Sequence, residues 1–196
     1  MKFTLKDYQA DAVRDSVANL RKARKRWRDE ADKHAFSLTA VTGAGKTVMA
    51  AAALEALFHG DEDYGFDADP GAVVIWFSDD PSLNEQTRFR LMEASDRIRH
   101  TDMVVVENTF NQAKFQAGKI YFLNTQKLGK NSLLVRGHDS DELDAMAGTL
   151  LPETRPDLHS HTMWDTIQTP SKTRGSRCTS CWTKHTAEWA DPAPPA

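Results

Sequence analysis

The residues best equipped for chemistry are Ala40-Val41-Thr42-Gly43-Ala44-Gly45-Lys46-Thr47. Glycines in such a turn let backbone N–H groups approach phosphate oxygens, and a helix starting behind the turn adds its N-terminal dipole. Lys46 would reach the β- and γ-phosphates of a nucleotide, while the Thr47 hydroxyl would ligate its Mg²⁺. Thr42, Gly43, Ala44 and Gly45 complete the cradle. Ala40 stands where the strict pattern has its first glycine. The plainer alternative is a Gly-rich turn with an exposed lysine, but the flanking sequence favours the phosphate loop. A second candidate is Cys178 and Cys181 with His185. A structural zinc site needs four ligands, and a redox dithiol needs a strand before it and a helix at its first cysteine. This segment offers neither. A third is RKARKRWR over residues 21–28, six of eight residues basic. It reads as a solvated helix end whose cations complement the dipole, or as a phosphate-contacting patch with Trp27 among the cations.

The elements around these residues follow from pattern. Ala10, Val13, Val17 and Leu20 recur at helical spacing and predict an amphipathic helix over residues 4–30, with Thr4 and Asp7 as its capping pair. FSLTAV (36–41) is an apolar run that predicts the strand leading into the phosphate loop, and VMAAAALEALF (48–58) contains no helix breaker. DEDYGFDADPG (61–71) predicts an acidic surface loop. AVVIWFS (72–78) is the continuous β-prone run of a strand buried on both faces. Pro81 opens a helical stretch through Ile98, MVVVEN (103–108) and KIYFLNT (119–125) predict strands, and MWDTIQ (163–168) predicts a helical turn or two. Strands alternating with helices predict an α/β domain with a parallel sheet.

Composition narrows the field. Twenty-five Lys and Arg against 28 Asp and Glu give a net charge of −3, which excludes a globally basic nucleic-acid coat. No apolar stretch approaches the ~20 residues of a membrane span. Two cysteines in 196 residues make no disulfide scaffold, so a cytoplasmic location is expected. Residues 169–196 contain no Leu, Ile, Val, Met, Phe or Tyr, so a disordered tail is expected behind a domain over residues 1–168.

Four segments in order, LKDYQADAV (5–13), AVTGAGKT (40–47), WFSDDPSLNEQT (76–87) and IYFLNTQKL (120–128), resemble the first RecA-like domain of superfamily 2 DEAD/DEAH helicases, specifically the type III restriction enzyme Res subunit. The resemblance implies an incomplete RecA-like (P-loop NTPase) domain whose parallel sheet is flanked by helices. It implies ATP and Mg as cofactors. Gln9 falls where such proteins have the glutamine that reads the adenine edge; otherwise it would be an exposed helix residue. Asp79, Pro81, Gln86, Thr125 and Gln126 fall where the family contacts a nucleic-acid strand, or else are loop and cap residues. DNA is the implied partner, through sequence-blind backbone contacts, together with a restriction-modification subunit. Two further readings are a nucleotide-binding module without turnover and a P-loop phosphotransferase. The phosphotransferase lacks a recognisable substrate lid, and Gln9 argues against it.

Helicases of this group carry an acidic Asp-Glu pair after a later buried strand, to hold Mg²⁺ and position the attacking water. Asp61-Glu62 and Asp141-Glu142 follow no apolar run, and no second RecA-like domain follows. The expectation is a helicase fragment that binds ATP and does not hydrolyse it by itself. The tail is expected to be a frameshift product. Reading each new codon as the third base of one residue and the first two of the next, Cys181 with Trp182 must give Leu, and Trp182 with Thr183 must give Asp. The next three codons permit Glu, Ala and His. Gly175 through Cys181 shift to a mostly aliphatic run, so a buried strand entering an acidic motif fits the other frame.

Overall fold

A computed structural model describes residues 1–129, 132, 134, 135, 161–168 and the backbone course of 179–183. The element order is α1 (Asp7–Glu30), α2 (Lys46–His59), β1 (Val73–Ser78), α3 (Pro81–Ala94), β2 (Met103–Val105), β3 (Lys119–Asn124), α4 (Met163–Gln168) and β4 (Thr179–Thr183). Short 3₁₀ turns cover His100–Asp102 and Thr125–Leu128. All strand pairs are parallel, in the order β2-β3-β1-β4.

The central strands read as unbroken apolar runs because both their faces are covered. Val74 and Trp76 of β1, with Ile120 and Phe122 of β3, pack among α1, α2 and α3. Val73, Ile75, Tyr121 and Leu123 point the other way, toward Val106, Phe110, Phe115, Leu134 and Met163. Alternation along a strand thus feeds two cores at once. Helix α2 lies inside the first core, with every residue from Met49 to Phe58 buried, as expected of a helix that is apolar all round.

Four expectations need correction. The predicted strand at 36–41 joins no ladder among the described residues. Phe36, Leu38 and Ala40 are half-buried against the first core while Ser37, Thr39 and Val41 are exposed, so the segment keeps strand alternation without a hydrogen-bonded neighbour. Helix α1 begins at Asp7, not at residue 4, and Thr4 plays no part in its cap. The Gln9 side chain instead accepts from the backbone N–H of Lys6 at 3.0 Å, the return half of a capping box. Helix α3 stops at Ala94 because the Ser95 hydroxyl oxygen accepts from the N–H groups of Arg97 and Ile98. Strand β2 ends at Val105 rather than at residue 108, the Val106 N–H making one last bond to the Phe122 carbonyl. Beyond the domain expected over residues 1–168, the backbone of Thr179–Thr183 runs as β4 beside β1, with Ile75 opposite Cys181 and Trp76 opposite Trp182. The rest of 169–196, with Cys178 and His185, lies outside the described residues, as does Asp141-Glu142. No helix among the described residues is long and apolar enough to cross a membrane.

Candidate nucleotide site and nucleic-acid rim

The turn before α2 is built by two glycines in left-handed conformation, Gly43 at φ 86° and Gly45 at φ 83°, where an L side chain is strained. They differ in a second respect. A Cβ on Gly43 would meet nothing within 4 Å, whereas a Cβ on Gly45 would lie 2.5 Å from Gln9 Nε2. Gly45 is thus required both for its backbone angle and for the close approach of α1.

That approach is hydrogen-bonded. Gln9 Nε2 donates to the Ala44 carbonyl at 2.9 Å, and the Tyr8 hydroxyl donates to the same oxygen at 3.1 Å. Gln9 is buried, with 9% of its surface exposed, so it is no free helix residue. Its carboxamide spends one donor on Ala44 and one acceptor site on Lys6, keeping a second N–H and a second lone pair. Lys46, in the first turn of α2, folds back so that Nζ donates to the Ala40 and Val41 carbonyls, the latter at 3.2 Å. The ammonium is held by neutral oxygens that a more strongly charged acceptor would displace. Thr42 and Gly43 are exposed and Ala44 through Thr47 half-buried, and the Thr47 hydroxyl has no protein partner among the described residues. Gln9, Gly45 and Lys46 therefore meet at one turn. Sequence reasoning did not single out Tyr8, although an aromatic beside Gln9 was its signal.

The second group lies at the carboxyl ends of β1 and β3. Their register sets Ser78 opposite Asn124, so the next residues, Asp79 and Thr125, become neighbours. Thr125 Oγ1 donates to Asp79 Oδ1 at 2.7 Å, and the amides of Asn124 and Gln126 donate to the Asp79 carbonyl at 3.1 and 3.3 Å. Pro81 opens α3 behind Asp80, whose carboxylate accepts from the Ser82 N–H at 2.8 Å. The Ser82 backbone and hydroxyl hold the Asp80 carboxyl below its ordinary value. Gln86 is exposed farther along α3 and joins none of these bonds. Asp79, Thr125 and Gln126 thus form one cluster, Pro81 borders it, and Gln86 lies apart. Beneath them Ser78 Oγ bonds Asn84 Oδ1 at 2.6 Å, both residues buried. Ser78 and Asn84 were missed, because a buried polar pair leaves no periodic trace.

The family model for the type III restriction enzyme res subunit matches residues 2–151. That covers most of the 196-residue chain. The chain belongs to this family. Comparison with curated proteins and with solved structures finds no match. Res-subunit proteins form an ATP-dependent, helicase-like family, and the matched range holds α1, α2 and the loop between them, β1, β2 and β3. Strand β4 lies beyond it.

Proposed function

We propose that this Res-subunit chain binds ATP through Gln9, Thr42, Gly43, Ala44, Gly45, Lys46 and Thr47, associates with DNA, and does not hydrolyse ATP by itself. The observation that carries the reading is the meeting of Gln9, Ala44 and Lys46 at one turn. The residues present fit a nucleotide with its metal. Gln9 retains donor and acceptor capacity for an adenine edge, Lys46 needs only to exchange two carbonyls for phosphate oxygens, and Thr47 has a hydroxyl to offer Mg²⁺. Bound Mg²⁺ would neutralise charge on the phosphates. The loop would position those phosphates, while no Asp-Glu pair follows a buried strand among the described residues to orient water. An arginine finger is worth about 10³–10⁵ in rate in related reactions.

DNA association rests on the rim. Asp79 and Asp80 are exposed carboxylates there, and they would repel phosphate. We therefore assign Asp79 to holding Thr125 and Gln126 in place, and backbone contact to the Gln126 and Gln86 amides and the start of α3 at Pro81. A restriction-modification subunit remains the proposed protein partner. Calorimetric titration with ATP tests the nucleotide part. Binding should be lost in Lys46→Ala, with negligible phosphate release in the presence or absence of DNA. Robust DNA-stimulated turnover abolished by Lys46→Ala would refute the assignment. The alternative, a nucleotide-binding module without DNA, predicts ATP binding and no DNA retention.

A second reading concerns residues 169–196, which we infer to be translated from a shifted frame. The pairing of β4 with β1 supports it, since Thr183 stands opposite Phe77. The shifted-frame Asp would then fall at the carboxyl end of that strand, near Ser78, where open α/β sheets bind ligands. The nucleotide sequence tests this. Third bases spelling anything other than an acidic pair after an aliphatic run end the idea.

A further inference from the structure

The basic run of α1 separates into two sets by what its side chains touch. Arg21 donates to the Tyr64 and Gly65 carbonyls. Arg24 pairs with the buried carboxylate of Asp69 at 3.1 Å, and its guanidinium sits 5.3 Å from the centroid of the Phe66 ring. These two arginines hold the 61–69 loop against the helix and are structural. Arg26 is occupied by Asp32 at 3.0 Å and more loosely by Glu30 at 3.7 Å. Lys22, Lys25 and Arg28 are exposed and have no anionic partner among the described residues. An acidic chain thus carries three uncompensated cations within two helical turns.

Lys22 and Lys25 also line a cleft of about 320 Å³, together with Arg26, Asp29, Glu30 and His34. The cleft forms where the chain leaves α1 through a left-handed Ala31 and folds back. His34 Nε2 is buried there without a hydrogen-bond partner. Exposed Trp27 borders the same helix end.

We propose that this end of α1 is a second nucleic-acid contact, in which Lys22, Lys25 and Arg28 bind phosphodiester oxygens. Asp29 and Glu30 in the lining disfavour a free phosphate dianion, whereas a singly charged phosphodiester meets less repulsion. The patch lies about 24 Å along the helix axis from Gln9, at 1.5 Å per residue. It would therefore engage the polymer well away from the nucleotide. The inference rests on the DNA part of the proposed function and not on its ATP part.

Fluorescence anisotropy with labelled duplex and single-stranded DNA of arbitrary sequence, measured across salt concentrations, tests it. Each phosphate contact contributes about −0.9 to the slope of log affinity against log salt on duplex DNA. The triple variant Lys22→Ala, Lys25→Ala, Arg28→Ala should flatten the slope by about 2.7. Between 50 and 200 mM salt the native chain should then lose about 40-fold more affinity than the variant. The charge-keeping variant Lys22→Arg, Lys25→Arg, Arg28→Lys should retain the native slope, and inorganic phosphate should compete no better than chloride at equal ionic strength. All slopes are measured without nucleotide, so failure of the ATP reading does not touch this one. An unchanged slope in the triple variant, a loss of slope in the charge-keeping variant, displacement by inorganic phosphate alone, or no DNA retention by the native chain would each overturn the proposal.

Discussion

Replacing Gly45 by Ala should strain the molecule in two separable ways. The left-handed backbone costs an alanine about 1–2 kcal/mol. The new Cβ would also stand 2.5 Å from Gln9 Nε2, closer than any real contact. The carboxamide must then leave, forfeiting its bonds to Ala44 and Lys6 at about 0.5–1.5 kcal/mol each. The expected destabilisation is about 2–5 kcal/mol. Gly43→Ala is the internal control, having nearly the same φ but open space around its Cβ, so it should cost about 1–2 kcal/mol. Urea unfolding of both variants gives the two numbers. A third variant isolates the contact. In a Gln9→Ala background the added Cβ has nothing to strike, and Gly45→Ala should then cost no more than Gly43→Ala does. Equal effects of the two glycine substitutions in the native background, or strict additivity of Gly45→Ala with Gln9→Ala, would refute the claim that Gln9 and the loop touch.

Two more expectations come from groups outside the loop. The Met1 ammonium bonds Glu55 Oε2 at 2.8 Å and Asp96 Oδ1 at 2.9 Å; these bonds raise its pKa above the ordinary 8.0 and hold Asp96 down to about 2. The amine's contribution is complete below pH 8 and fades as pH rises through its raised folded value, while that of Asp96 is complete above pH 3.8 and fades as pH falls toward 2. Thermal melts should therefore drop at both ends, and acetylating the Met1 amine should remove the part of the alkaline drop that begins near pH 8, leaving the later part that the burial-raised Tyr64 and Tyr121 hydroxyls contribute. The unpaired segment at 36–41 should promote self-association through its backbone edge; Thr39→Pro removes an exposed N–H without touching Leu38 and should lower the sedimentation-derived association constant, whereas unchanged association would place the contact elsewhere.

The parts of this fold legible in the sequence are those fixed by local or near-local physics. The glycine turn before α2 is legible because Gly43 and Gly45 adopt positive φ and Lys46 and Thr47 open a helix, all within a few residues. β1 and β3 announce themselves through unbroken apolar runs, because a strand covered on both faces needs no polar side. The misread boundaries each depend on a distant partner. Helix α1 starts where Gln9 can bond back to Lys6 while also reaching Ala44, thirty-five residues later in the chain. Helix α3 stops where Ser95 turns its hydroxyl proton to Glu55 on α2 and its oxygen to the chain ahead. The rim cluster was found in part, since Asp79 and Thr125 could be named from the resemblance, but only the Ser78–Asn124 register brings them together.

Residues 36–41 and 179–183 bring out the same dependence from opposite sides. The first has a strand's apolar alternation and is not one, because a ladder requires a hydrogen-bonded neighbour and none of the described strands pairs with it. The second has no aliphatic residue and becomes a strand, because the exposed edge of β1 offers a ready set of backbone donors and acceptors to whatever chain lies beside it. Side-chain pattern decides which face of a strand is buried; whether it is a strand at all is decided by its partner. One strand-like segment unpaired and one unlikely segment paired mark the sheet of the described residues as incomplete. Supplying the aliphatic strand proposed for the shifted frame should therefore raise the melting temperature of the domain by repacking the β1 edge, independently of any effect on nucleotide chemistry, and an unchanged melt would refute this.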